Sequence, residues 1–265
     1  MSWVKLNKQK RIILALLKSG ITETLSFSSD VLFGIISSGL WIGILILFFK
    51  IIFLNVDTIA GWTWSETLML LGVYTTIDGL MMSLLVQNLP KLEHDIREGN
   101  LDMVLMKPID AQLFYIFRSV DTTQLLNSLL GVLVVLYAST KSSISLINLL
   151  LFLVMIVGGC VLYYSIWFLW TITTFWFPSN FGRTDLFMSV IQVGRYPSSI
   201  YKGVGKVVFM AIIPLGLIAT PSALAITGKM SLQYFFMTWL LVIVFVCIDR
   251  FFWKKGLKKY DGAGR

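Results

Sequence analysis

Charge is what this chain has least of: aspartate and glutamate together number fourteen and lysine and arginine twenty-two, so 14% of its 265 residues are charged. A soluble fold of 30.0 kDa would expose a surface that so few charges could not keep hydrated, whereas lipid accepts an apolar exterior. Cysteine is nearly absent too. Cys160 and Cys247 both lie inside apolar runs, without metal-ligand spacing, which excludes a disulfide-stapled secreted domain and a thiolate metal centre. The single histidine, His94, stands in a charged loop with no second histidine or cysteine near it, so it reads as a solvated residue. Its neighbours Glu93, Asp95 and Glu98 sit on a charged face and do not make a catalytic acid pair. A phosphate-binding loop is also lacking. Gly203-Val204-Gly205-Lys206 comes nearest, but Ile200 replaces the first glycine and Val207 the hydroxyl residue that would meet magnesium. The chain reads as non-catalytic, holding no cofactor or metal of its own.

What fills the composition instead is hydrophobic residues, at 57%, with a mean hydropathy of +0.81. Together they define an all-α integral membrane protein. The first run, 31–54, is long enough at about 1.5 Å per residue to cross a hydrocarbon core of about 30 Å, with Lys50 placed to snorkel at its far end. Further spans are expected at 66–89 (ending at Pro90), 113–138, 146–177 and 232–253, the last followed at once by Lys254, Lys255, Lys258 and Lys259. Before the first span, Trp3, Leu6, Ile13, Leu14, Leu17, Ile21 and Leu25 share one side of a helical wheel, with Lys5, Lys8, Arg11 and Lys18 largely opposite. This predicts an amphipathic interfacial helix within 1–28 that stays on the mature chain, since the run Ile12–Leu17 is too short for a signal-peptide core. The expected organisation is that helix, one transmembrane domain over 29–253, and a basic tail over 254–265.

The basic residues partition by loop. Sixteen of the twenty-two fall before the first span, in the 90–112 loop and its flank, at Arg183, or from Arg250 onward, against Lys50, Lys141 and Lys229 on the other side. By the positive-inside rule both termini and the 90–112 loop face the cytoplasm, so the net charge of +8 reports topology and contact with lipid, not nucleic acid. Arg195, Lys202 and Lys206 are unassigned, because 178–231 admits two threadings. In one, 207–227 crosses the membrane, which charge counting prefers. In the other, 184–201 crosses and 204–228, broken by Pro214 and Pro221, folds back as a re-entrant hairpin.

Three features bear on function. Asp78 sits near the middle of the second span, where a charge is costly unless offset; it either lines a pathway or titrates there, or is a packing element satisfied by Thr75, Thr76 or another helix. Arg195 is its counterpart if 184–201 crosses, and a pairing of the two would offset both costs. Gly39 and Gly43 form a GxxxG in the first span, a surface on which another helix can approach closely. Most informative is the loop after the second span. Leu92 and Ile96 share one helical face and, after a break at Gly99-Asn100, Leu101, Val104 and Leu105 share another; a short helix with both signs of charge and an apolar edge predicts docking, the alternative being a loop that simply covers the helix ends.

Several residue groups carry a family resemblance. Gly61-Trp62 with Glu66 and Gly72, then Arg97-Glu98-Gly99 with Leu101-Asp102, Leu105 and Lys107-Pro108, then Arg195-Tyr196-Pro197 with Ile200-Tyr201, resemble the permease subunits of a bacterial branch of the type-2 ABC exporters, over about residues 25 to 255. The family often has arginine where Lys107 stands and proline where Lys202 stands. The resemblance implies a six-helix permease half in the bacterial cell membrane. It would pair with an identical or related second permease above a cytoplasmic ATPase dimer that binds ATP and Mg. The 90–107 segment would be the coupling helix, with Leu92, Glu93, Ile96, Arg97, Glu98, Gly99, Leu101 and Asp102 meeting the ATPase. Phe187–Tyr201 would be the fifth span, 204–228 an outer re-entrant hairpin, and Asp78, Arg195, Tyr196 and Tyr201 part of the translocation pathway. This branch is associated with efflux of drugs and other amphipathic compounds. The competing reading is an ion-coupled secondary transporter working through Asp78, against which no pair of interrupted spans recurs in two halves.

Overall fold

The computed structural model describes residues 28–140, 144–178 and 182–260, together with Ile12; the expected amphipathic N-terminal helix and the last residues of the basic tail lie outside them. Among the described residues the chain is predominantly helical, without a β-sheet. Its α-helices are α1 (Ser28–Phe53), α2 (Trp64–Leu85), α3 (Asn88–Arg97), α4 (Asp102–Leu105), α5 (Ala111–Phe117), α6 (Thr122–Ser139), α7 (Leu146–Ile172), α8 (Arg183–Ile191), α9 (Gly203–Val207), α10 (Gly216–Ile226) and α11 (Leu232–Lys259). Among the described residues five helical stretches are long and apolar enough to cross a membrane: α1, α2 with α3, α6, α7 with the turn after it, and α11.

Helix ends follow local chemistry. Glu66 reaches back to the Thr63 N–H at 2.9 Å ahead of α2. Asp121, Ser145 and Ser231 each cap the next helix through a side-chain oxygen, a contact worth about 1 kcal/mol apiece. Pro90, expected to end the second span, sits instead in the first turn of α3, where a missing N–H costs nothing. The third span is shorter than the 113–138 expected from hydropathy. The Asn88 amide donates to the carbonyls of Leu84, Ile116 and Ser119 at 2.7, 3.2 and 2.8 Å, the Asp121 N–H donates to the Ser83 carbonyl, and the chain breaks there into α5 and α6.

The core is assembled by close backbone approach. Lipid is as apolar as leucine and gives no hydrophobic reason for helices to associate, so small residues that bring backbones into van der Waals contact and hydrogen bonds between helices do it. Along α2 and α6 the small residues are Gly72, Thr76 and Gly79 against Ser128 and Gly131, and Ser128 Oγ donates to the Thr76 carbonyl at 2.9 Å. A methyl group at Gly79 would press on the Ser128 backbone, and one at Gly131 on the Thr76 N–H. Gly159 of α7 likewise lies against the Ile218 carbonyl of α10, a helix buried at every residue but Leu224. Gly39 and Gly43 take no part in this: they face open space, in a groove of about 670 Å³ between α1, α2 and α6.

The bundle has two ends, and contacts assign the remaining segments to them. At one, Lys229 pairs with Glu66, Gly228 touches Asn148, and Ser199 Oγ donates to the Ala60 carbonyl at 3.0 Å. At the other, Arg183 pairs with Glu93 at 2.6 Å, Arg250 with Asp110 at 2.9 Å, and Phe175 meets Trp253 and Tyr260. The chain therefore runs from one end to the other between Arg183 and Ser199, but not as the continuous helix expected over 184–201. It is α8, a 3-10 turn over Gln192–Arg195, extended backbone at Tyr196 and Pro197, and a further 3-10 turn over Ser198–Ile200. Gly203–Ile212 then enters the bundle and, bent by 86° at Ile213–Leu215, returns as α10.

Candidate functional site

Two constructions stand out, one at the Glu93 end and one at mid-depth. The first is a hairpin of α3 and α4, whose expected coupling residues divide between its root and its tip. Leu92, Ile96 and Leu101 are buried in the same apolar core as Phe168, Ile172 and Phe175. The apolar edge expected to face a partner is thus turned inward, because the nearest apolar surface is the chain's own. Glu93, 5% exposed, is part of the root as well. It accepts from Arg183, whose other amino contacts are Thr174 Oγ1 and the Phe177 carbonyl, both at 2.6 Å; Trp170 Nε1 in turn donates to the Arg183 carbonyl at 2.9 Å. Asp95 is held by the Tyr115 hydroxyl at 2.8 Å and Lys91 at 2.8 Å. Through these pairs α3 is fastened to the end of α7, to the start of α8 and to α5.

Facing outward are Arg97 and Glu98, joined at 3.0 Å, and Asp102, together with Met103, Leu105 and Met106 at the tip. Met103 is 67% and Met106 78% exposed, and neither stood out in the sequence, since helical spacing selects Leu101, Val104 and Leu105, of which Leu105 alone faces outward. Beside them a recess of about 400 Å³ gathers Lys91, Lys107 and Arg118 around Phe114 and the edge of Asp95, with Lys107 Nζ 4.0 Å from the Phe114 ring centre. Gly99 turns the hairpin at φ 75°, so that the Leu101 N–H reaches the Asp95 carbonyl at 3.1 Å. Gly99→Ala puts a Cβ into left-handed backbone and is expected to cost about 1 kcal/mol, seen as a small fall in melting temperature with α3 itself intact.

The second construction is a cleft of about 110 Å³ between α1, α2, α6 and α8. Asp78 and Arg195, 117 positions apart in sequence, both line it, although among the described residues no ion pair joins them. Asp78 Oδ1 instead accepts from the Tyr163 hydroxyl at 2.8 Å, and Tyr74 donates to the Ile191 carbonyl at 3.2 Å. Arg195 is only 7% exposed; its Nε donates to the Gln192 carbonyl at 3.1 Å and its guanidinium lies 6.0 Å from the Trp41 ring centre. Thr75, Asn127 and Gln192 complete the polar lining. Of the four expected pathway residues, then, the fold brings two together. Tyr196 packs against Phe49 with ring centres 6.1 Å apart, and Tyr201 donates to the Val193 carbonyl at 2.8 Å, bracing the turn that carries Arg195. Tyr163 was not foreseen; a tyrosine in an aromatic-rich span gives no local sign that it meets a carboxylate 85 residues away.

An apolar helical bundle with a charged hairpin at one end and a polar cleft at its centre is the architecture of a multi-pass membrane protein. The chain belongs to the ABC-2 family of transporter proteins, whose sequence model matches residues 40–264. No curated protein and no solved structure matches it. Membership agrees with the resemblance read from the sequence, and it does not favour the ion-coupled alternative built on Asp78.

Proposed function

We propose that this chain is the permease subunit of an ATP-driven exporter in the bacterial cell membrane. It forms the substrate pathway with a second permease, identical or related, and is driven by a separate cytoplasmic ATPase dimer that binds ATP and Mg. The observation that carries this reading is the α3–α4 hairpin: a rigid, ion-paired root with an exposed tip. A part that transmits force needs a firm attachment to the spans and a free surface for its driver, and this hairpin has both. On this reading the Glu93 end is cytoplasmic, as are both termini, which agrees with the basic residues of that end. The methionines at 103 and 106 suit a cleft that changes shape, because the thioether side chain repacks readily. The recess with Lys91, Lys107 and Arg118 suits an acidic side chain of the ATPase. The passage through 183–201 is then an irregular fifth span, and 203–226 a hairpin dipping from the outer face.

The test is the double substitution Met103→Glu with Met106→Glu. Recovery of a co-expressed ABC ATPase with the tagged chain is expected to fall at least about tenfold, the loss of roughly 1.4 kcal/mol of binding. The melting temperature of the purified permease is expected to stay unchanged, because both side chains are exposed. Undiminished recovery of the ATPase would remove the tip from the docking surface.

A further inference from the structure

The cleft at mid-depth carries a statement about what occupies it. Its lining holds one group of each charge: the Asp78 carboxylate, and the guanidinium of Arg195, a residue only 7% exposed, whose terminal amino groups have no hydrogen-bond partner among the described residues. The side chains of Thr75, Asn127 and Gln192 make no hydrogen bond among the described residues either. An arginine buried in a membrane protein is costly unless its donors are satisfied, and among the described residues only Nε finds a partner. The opposite charge in the lining, Asp78, accepts from the Tyr163 hydroxyl at 2.8 Å, and among the described residues no ion pair joins it to the guanidinium. The two charges are held apart on one cleft, which is an arrangement for receiving a group that itself carries both signs.

Size and surroundings narrow the class further. A volume of about 110 Å³ is well below the roughly 300 Å³ that encloses a drug-sized ligand, so the cleft takes a head group and leaves the rest of the molecule outside. One wall is α1, whose Leu40, Trp41, Ile44 and Phe48 are about half or more exposed, an apolar surface suited to acyl chains. An apolar tail leaving the cleft meets that surface and the bilayer beyond it.

We infer that the cleft binds the zwitterionic head group of a single amphiphile, with Arg195 holding its anionic group and Asp78 its ammonium. Asn127, Gln192 and Thr75 supply the uncharged hydrogen bonds, and the Trp41 indole covers the Arg195 side. This deepens the permease reading by naming what its pathway accepts, and rests on it only for the direction of movement. The recognised chemistry, an ammonium and a phosphate or carboxylate a few atoms apart, is offered both by membrane lipid and by small soluble zwitterions.

The experiment is equilibrium binding to the purified full-length chain in maltoside micelles, with no ATPase present, so the outcome does not depend on the coupling assignment. Three probes share one alkyl chain and differ in head group: phosphoethanolamine, phosphate and trimethylammonium. Wild-type protein is expected to bind the phosphoethanolamine amphiphile at least about tenfold more tightly than either singly charged probe. Arg195→Gln should erase the preference over the ammonium probe, and Asp78→Asn the preference over the phosphate probe. General loosening of the fold cannot produce these opposite shifts. Equal binding of all three probes by wild-type protein overturns the inference even if neither variant folds, and so do variants that shift selectivity in the same direction. Free phosphoethanolamine separates the sources: displacement of the amphiphile at millimolar concentration assigns the cleft to a soluble zwitterion, and failure to displace it assigns the cleft to lipid.

Discussion

Replacing Gly131 by leucine is expected to leave little folded protein in the membrane. The Gly131 position faces the Thr76 N–H and hydroxyl of α2, with the Gly72 carbonyl 2.8 Å from where a Cβ would stand, so even the first added carbon meets backbone. Backbone cannot rotate out of the way as a side chain does. Overpacking of a tight interface costs about 1–3 kcal/mol when neighbours can shift, and here α2 and α6 would have to separate along the contact that joins Gly72, Gly79, Ser128 and Gly131. The measurement is the monodisperse fraction after detergent extraction, with Gly131→Ala as the graded intermediate. Gly39→Leu is the control, because the position opens on the groove between α1, α2 and α6 and nothing lies within reach of its Cβ. If Gly39→Leu disrupted the folded chain as much as Gly131→Leu, the glycine-lined contact would not be what holds α2 to α6.

The second large effect is expected at Glu93 and Arg183. Both side chains are nearly buried, at 6% and 12% exposure, and their 2.6 Å contact joins α3 to the start of α8 and, through Thr174 and Phe177, to the end of α7. Removing one partner of a buried pair leaves the other charge uncompensated, a loss of about 3–5 kcal/mol. Glu93→Ala and Arg183→Ala should each lower the melting temperature sharply. Their double-mutant cycle should return a coupling energy of at least about 1 kcal/mol, since residues in one ion-paired network do not act additively. Because the pair belongs to the root of the hairpin, these substitutions reduce transport by unseating α3, unlike changes at Met103 and Met106. Strict additivity would show that the pair contributes nothing jointly.

The membrane character of the chain was legible from composition, since an apolar exterior with so little charge has one solvent that suits it. The hairpin after α2 was legible as well, from its density of charge and the Gly99 break. Its facing was not. Periodicity finds an apolar stripe but not the surface that covers it, so Leu92, Ile96 and Leu101 pointed toward a partner, whereas the ends of α5 and α7 cover them. The same limit explains the irregular passage between Arg183 and Ser199: hydropathy registers apolar residues, but the 3-10 turns there answer to Pro197, to Gly194 pressed near the Leu215 carbonyl, and to Tyr201 reaching back to Val193. In the cleft, Asp78 and Arg195 share one lining, but among the described residues no ion pair joins them. Tyr163 was the missing piece, for it gives the carboxylate a partner and leaves the guanidinium available.

The wide exposure of α1 has a consequence for rates. Toward the bundle α1 is held by narrow contacts such as Gly34 against Thr123, Phe49 against Tyr196 and Phe53 against Trp64, yet it supplies Trp41, Ile42 and Leu45 to the cleft. Sideways displacement of α1 exchanges protein contacts for acyl-chain contacts of nearly equal worth, so the opposing force is mainly the lateral pressure of the bilayer. The residence time of anything seated between Asp78 and Arg195 should therefore depend on acyl-chain order and membrane thickness, which makes the lipid a kinetic component of the permease.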